Sequence, residues 1–154
     1  MTEILRNVLP SLVAIVAVYL TAHLALRRFY SERWWERKAN MYTQLIEALY
    51  DLLQYCEIKK ADYGDGAGYA DDKLKELAEK YNRAYWEVKK ATALAGFVLS
   101  SDAAAILREL RDRPELEWDK NPPWEVYGQD YEFYRDALDK IVEVARKDMK
   151  ARRF

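Results

Sequence analysis

A largely nonpolar run of 19 residues lies near the start of the chain, from Val8 to Leu26, and contains no Asp, Glu, Lys or Arg. A helix of this length, at about 1.5 Å per residue, matches the ~30 Å hydrocarbon core of a bilayer. Pro10 lies near the start of the run, where its missing N–H costs a helix least. The run therefore predicts a single transmembrane helix.

Two alternative interpretations of the run stay open. A cleaved signal peptide has a shorter apolar core that is followed by a cleavage site of small residues, typically Ala-x-Ala. This run is longer and contains no Ala-x-Ala pair. A buried helix of a water-soluble domain is the other alternative, because Tyr19, Thr21 and His23 dilute the apolar character.

Basic residues set the expected orientation of the span. Only Arg6 precedes it, offset by Glu3, whereas a cluster of arginines and Lys38 follows it. The positive-inside rule then places the N-terminus outside and the C-terminal part in the cytoplasm, at the plasma (inner) membrane. The residues expected to contact the lipid head groups are Arg27, Arg28, Phe29, Tyr30, Arg33 and Trp34.

Two stripes at helical spacing lie inside the predicted span. Ala17, Thr21 and Ala25 recur every four residues, which allows close helix approach. Tyr19 and His23 form a polar stripe of the same spacing, and polar groups at membrane depth usually face another helix or water. The stripes predict self-association into a homo-oligomer, although Ala and Thr are common in spans and His23 lies near the interface.

Heptad spacing of nonpolar residues continues beyond the span. Trp35, Tyr42, Leu49 and Cys56 recur every seven residues, and the positions between them are nonpolar at Ala39, Ile46 and Leu53. This pattern predicts a coiled-coil-like helix that nothing separates from the span. Glycines from 64 to 68 predict the loop that ends it.

Three more helices are predicted downstream. One begins at Asp71 or Asp72, a second has Ser101 as its N-cap, and the last runs from about Asp130 to Lys150. No strand-like alternation appears. The predicted fold is all-α: a single N-terminal transmembrane helix (residues 1–28) plus an antiparallel cytoplasmic helical bundle (residues 29–154).

Candidate chemistry in this sequence is sparse. His23, the only histidine, lies in the predicted span, and Cys56, the only cysteine, lies on the heptad seam. Histidine-based catalytic triads and histidine-rich metal sites are therefore excluded from the bundle. We expect no enzyme activity, no cofactor and no metal.

Charge is distributed unevenly along the chain. Both ends carry an excess of Lys and Arg, whereas the middle is acidic and the net charge is −1. An acidic body disfavours nucleic acid as a partner, while the basic juxtamembrane segment favours a lipid bilayer.

Aromatic residues cluster before and within the start of the last predicted helix. Trp118, Trp124, Tyr127 and Tyr131 form a candidate surface for a protein partner or ligand. The simpler interpretation, that they close one end of the bundle, stays open.

The run ERWWERKANMYTQLIEALYDL and the later LSSDAAAILREL resemble a loose class of small bacterial proteins. Members have one N-terminal span, a juxtamembrane helix and a helical cytoplasmic domain, and the resemblance covers about residues 8 to 113. It implies no catalytic residues. Some small membrane-anchored helical proteins act as membrane-perturbing effectors in bacterial antiviral defence.

The sequence thus predicts a non-enzymatic, single-pass membrane protein that self-associates and presents a helical module as a scaffold or effector subunit. The alternative is a membrane-tethered sensor that binds a small ligand or nucleotide in an aromatic-lined site.

Overall fold

The computed structural model describes residues 2–66 and 68–150, and it describes side chains from residue 16 onward. Within these residues the chain forms four helices and no strand: α1 (Thr2–Asp65), α2 (Asp71–Val98), α3 (Ser101–Arg111) and α4 (Pro123–Lys150). The all-α prediction is confirmed.

Helix α1 is uninterrupted from Thr2 to Asp65, as the absence of helix-breaking residues after Leu26 predicted. By its internal contacts the chain divides into two compact units, residues 1–37 and 38–154. In the described part of the chain, no helix is both long and apolar enough to cross a membrane. The first part of the predicted span, Val8 to Ile15, lies outside the residues whose side chains are described.

The turn between α1 and α2 depends on glycine. Gly66 and Gly68 have φ angles of 64° and 62°, in the left-handed region that side chains with a Cβ rarely adopt. Helix α2 then begins at Asp71, as predicted. Its N-cap Ala70 supplies no side-chain hydrogen bond, so Asp71 and Asp72 stabilise this end through the helix dipole.

The N-cap of α3 is Ser100, so the prediction of Ser101 was wrong by one residue. The Ser100 side chain accepts a hydrogen bond from the Ala103 backbone N–H at 3.4 Å. Ser101 is the first helical residue instead. Two consecutive serines offer the same capping chemistry, and the extended backbone of Ser100 selects the first.

Helix α4 begins at Pro123, and the predicted start near Asp130 was wrong. Proline is favoured at the first helical position because its fixed φ suits the helix and its missing N–H is not needed there. The backbone N–H groups of Glu125 and Val126 donate to Pro122 O, which closes the first turn. The end at Lys150 agrees with the prediction.

In the unit formed by residues 38–154, α1 runs antiparallel to α2 and α4. Tyr42, early in this part of α1, contacts Asp148 near the end of α4 and Ser100 just after the end of α2. Tyr55, later in α1, contacts Tyr81 in α2 and Tyr127 near the start of α4. Contacts at both ends thus show the antiparallel arrangement.

The core confirms most of one predicted heptad series of α1 and corrects the other. Tyr42, Leu49 and Cys56 are buried, as predicted, whereas Trp35, the first member of that series, is only half-buried. Leu45 and Leu52 are also fully buried, whereas Ile46 and Leu53, which the heptad placed there, are only half-buried. Helix α1 packs against several helices, so its buried face is wider than a two-helix seam.

Candidate functional site

Every described residue from Val16 to Trp34 is exposed. The small-residue stripe lies on this segment, and its one hydroxyl is satisfied internally because Thr21 Oγ1 donates to Ala17 O at 2.7 Å. Tyr19 and His23 stack on each other with ring centroids 6.3 Å apart. The helix therefore brings together the members of each predicted stripe.

The predicted head-group segment carries local pairs along the same helix. Arg28 Nε lies 3.0 Å from Glu32 Oε1, and the Arg33 guanidinium lies 4.6 Å from the centre of the Phe29 ring. Tyr30 packs edge-on against Phe29. Arg27 is exposed and Trp34 is 40% exposed. Charged groups and aromatic rings thus alternate where an interfacial belt was predicted.

The structure places the four residues predicted as a partner surface in three local environments. Trp118 and Tyr127 pack edge-on with ring centroids 5.1 Å apart. Trp124 lies instead at the end of α1, where its Cβ is 3.7 Å from the position of a Cβ on Gly64. Tyr131 has the Lys60 and Arg135 side chains 6.0 Å and 5.7 Å from its ring.

Six aromatic side chains, here called the aromatic row, run in contact from one exposed tryptophan to another. Successive ring centroids lie between 4.4 and 6.4 Å apart. The end members, Trp118 and Trp86, are 56% and 65% exposed. In order, the row consists of Trp118, Tyr127, Tyr55, Tyr81, Tyr85 and Trp86.

Burial raises the pKa of Tyr127 in this row, and its hydrogen bond with Tyr55 raises it further. Burial likewise raises the pKa of Tyr81, which is hydrogen-bonded to Tyr134. Both phenols therefore stay neutral across the physiological range and act as hydrogen-bonding groups within the bundle.

Arg113 joins the segment after α3 to α4. Its Nη1 donates to Leu110 O at 3.0 Å, and its Nη2 donates to Asp130 Oδ1 at 3.0 Å and Tyr134 Oη at 3.1 Å. Only 11% of the Arg113 side chain and 18% of the Asp130 side chain are exposed. The guanidinium also lies 5.0 Å from the centre of the Tyr134 ring.

Two opposing effects act on the carboxyl group of this ion pair. Burial raises the pKa of Asp130, and the adjacent Arg113 guanidinium opposes the rise without cancelling it. Burial also raises the pKa of Tyr134 to about 12. A mostly buried ion pair of this kind fixes geometry, and removing one partner leaves the other desolvated.

A second polar cluster lies at the opposite end of the bundle. Tyr42 Oη donates to Asp148 Oδ2 at 2.5 Å and lies 3.3 Å from Ser100 Oγ. Lys38 Nζ lies 2.8 Å from the same Asp148 oxygen. Burial and the hydrogen bond to Asp148 raise the pKa of Tyr42 to about 12. These contacts join α1, the α2–α3 connection and α4.

The sequence pattern did not identify either polar cluster. In the sequence, Asp130 and Asp148 resemble the many other acids of an acidic body, and a basic residue such as Arg113 is ordinary near the C-terminal end of a helix. The available signal was weak: Asp130 and Tyr134 are one turn apart, with Pro114 fixing the chain beside Arg113.

Cys56 is fully buried, as the heptad pattern predicted. Burial raises the pKa of its thiol, which keeps it protonated. Within the part of the chain that the structure describes, no group of three His, Cys, Asp or Glu side chains converges to hold a metal ion. Comparison with protein-family models, curated proteins and solved structures finds no match for this chain.

Proposed function

We propose that the protein is a non-enzymatic, single-pass membrane protein whose N-terminal helix anchors it and drives self-association. The helical unit of residues 38–154 is then a scaffold or effector module at the cytoplasmic face, with the N-terminus outside. An effector role in bacterial defence belongs to the same proposal and rests on the resemblance of the sequence.

The observation that carries this proposal is the exposure of large nonpolar side chains around most of α1 between residues 16 and 30, with the small-residue stripe on the remaining face. A helix on the surface of a soluble domain keeps one polar face, whereas a helix that is nonpolar all round is covered by protein or lipid. Each uncovered Val, Leu or Phe forgoes about 1.5–3 kcal/mol of burial free energy. The exposed members are Val16, Val18, Tyr19, Leu20, Leu24, Leu26, Phe29 and Tyr30.

Self-association is supported by the stripe of small residues within this segment. Because Thr21 already bonds to Ala17 O, the stripe presents methyl groups and backbone to a neighbouring helix without an unsatisfied donor. Close packing of small residues is the main source of helix association in lipid.

The test is the mass of the full chain in detergent, compared between matched substitutions. Ala17→Leu places a bulky side chain on the stripe, and we expect it to convert a defined oligomer to monomer. Ala22→Leu makes the same chemical change off the stripe, and we expect the oligomer to persist. Equal masses for both variants and the unsubstituted chain would exclude the stripe as the interface.

A further inference from the structure

A stripe of basic and nonpolar side chains, here called the basic stripe, follows the outer side of α2 from Arg83 to Phe97. Its members recur every three or four residues, at Arg83, Trp86, Lys90, Leu94 and Phe97, so they lie on one side of the helix. Trp86, Leu94 and Phe97 are 65%, 39% and 74% exposed, although each side chain is large and nonpolar. A run of exposed nonpolar side chains bordered by charge is typical of an interaction surface.

A second stripe, here called the acidic stripe, lies on the neighbouring part of α1. It contains Glu47, which is exposed, and Asp51, which is half-buried and one turn further along. Residues 39–58 of α1 include no Lys or Arg. Among the described residues, Glu47, Asp51, Arg83 and Lys90 form no ion pair, so the charge of both stripes is open to a partner.

The two stripes lie side by side on one surface of the unit formed by residues 38–154. Gln44 of α1 and Lys90 of α2 are both exposed, and they line one crevice between the two helices. Glu47 is one turn from Gln44, so the acidic stripe borders the same crevice as the basic stripe.

The stripes also lie at the same level along the helices. Antiparallel α1 and α2 meet where Tyr42 lies beside Ser100, and again where Tyr55 packs on Tyr81. Halfway between these two contacts, the acidic stripe of α1 lies level with Lys90 of α2.

We propose that two copies of the chain pair through this surface, with the acidic stripe of each copy against the basic stripe of the other. A twofold axis parallel to α1 and α2 produces both contacts, because it exchanges the copies and keeps every residue at its level. The α1 and α2 helices of the two copies then form a four-helix bundle between the chains. Both copies run in the same direction, as anchoring in one membrane requires, so the inference rests on the proposed function.

Charge complementarity selects a second copy as the occupant of this surface. The basic stripe alone suits anionic lipid head groups, which attract Lys and Arg beside aromatic side chains. The adjoining acidic stripe would be repelled by the same head groups. A surface that suits both stripes is acidic opposite one and basic opposite the other, and the rotated copy presents that pattern.

Cross-linking between two differently tagged full-length chains in membranes tests the contact. One chain, the α1 reporter, carries Gln54→Cys, and the other, the α2 reporter, carries Asn82→Cys. These positions adjoin Tyr55 and Tyr81, whose ring centroids are 4.4 Å apart, so they lie at one level. With a short bismaleimide we expect a mixed dimer when the reporters are co-expressed, and background yield when either is expressed alone. Cys56 is fully buried and adds no product.

Charge reversal in one reporter and compensation in the other tests the pairing of the stripes. Arg83→Glu with Lys90→Glu in the α2 reporter places like charges together, and we expect the mixed product to fall about tenfold. Glu47→Lys with Asp51→Lys in the α1 reporter should then restore it, because the cross-link reports on the contact between these two stripes.

A matched control reverses two charges of α2 outside the basic stripe. Lys73→Glu with Lys75→Glu in the α2 reporter lies in the first turn of that helix, and the yield of mixed dimer should stay unchanged. This comparison separates the effect of the stripe from that of net charge.

Three results would overturn the proposal: mixed product at the background yield, a yield that the reversal leaves unchanged, or a loss that compensation does not restore. The last result would indicate that the basic stripe binds another partner, such as anionic lipid. The mass of the same chains in detergent separates this inference from the proposed function. An oligomer without mixed cross-links contradicts the stripe contact alone, whereas a monomer without them contradicts the proposed self-association as well.

Discussion

Tyr42 connects three parts of the bundle through one hydroxyl group. It donates to Asp148 and lies within hydrogen-bonding distance of Ser100, while its ring is 3% exposed in the core. A hydrogen bond to a charged acceptor contributes about 1.5–3 kcal/mol, more than a bond between neutral groups.

Replacing Tyr42 with Phe should therefore lower the free energy of unfolding by about 2 kcal/mol. The ring and its packing remain, while Asp148 loses a donor. Tyr50→Phe is the matched control, since Tyr50 lies on the same helix and is 54% exposed, and it should change stability little. Urea unfolding of both variants at pH 7 measures the difference; equal stabilities would refute the role of the hydroxyl.

Asp148 should make the stability of the bundle depend on pH in the acid range. Partial burial alone would raise its pKa, but hydrogen bonds from Lys38, Tyr42 and Ser100 outweigh burial and lower it. Its stabilising contribution is therefore present above the unfolded pKa of about 3.9 and is lost as the pH falls through the lower folded pKa.

The stability difference between the unsubstituted chain and Asp148→Asn isolates this contribution from other acids. We expect a clear difference at pH 7 that shrinks below about pH 4. Asp139→Asn, at an exposed position of the same helix, is the matched control substitution. A difference for Asp148→Asn that stays constant from pH 7 to pH 3 would contradict the account.

At the scale of elements, the short helix α3 depends most on its cap. It has only 11 residues, and isolated helices of that length are marginal in water. The Ser100 side chain satisfies the Ala103 N–H, and Asp102 in the first turn complements the helix dipole.

The two adjacent serines allow a matched comparison of the cap. Ser100→Ala removes the capping bond and a neighbour of Tyr42, so we expect a loss of about 1–2 kcal/mol in the free energy of unfolding. Ser101→Ala, at the first helical position, should change it by less than about 0.5 kcal/mol. Thermal unfolding of the two variants distinguishes them. A larger loss of stability in Ser101→Ala than in Ser100→Ala would identify Ser101 as the N-cap and contradict the account.

Element boundaries show what sequence patterns can and cannot predict. The glycine turn and the start at Asp71 were predictable, because glycine at positive φ and acids in a first turn have local causes. The choice between Ser100 and Ser101 as N-cap depends on the backbone conformation of Ser100. The start of α4 at Pro123 depends on whether this proline belongs to the preceding loop or is the first residue of the helix. Local sequence leaves both open.

At the scale of the whole molecule, heptad spacing predicted an all-α bundle but not its polar clusters. Leucine and tyrosine periodicity identifies the buried face of α1, because burial follows helical geometry. Arg113 and Asp130 are 17 positions apart and meet only through the packing of α3 and α4.

The central claim, a membrane anchor with the N-terminus outside, can be tested by thiol labelling in intact cells. Cys56 is fully buried with a raised thiol pKa, so the unsubstituted chain provides an unlabelled background. Thr2→Cys and the exposed position Glu132→Cys place one reactive thiol before and after the predicted span.

A membrane-impermeant maleimide should label Thr2→Cys in intact cells and Glu132→Cys only after lysis, with both chains staying in the membrane through an alkaline wash. Labelling of both positions only after lysis, with release of the chain by the same wash, would contradict the membrane anchor.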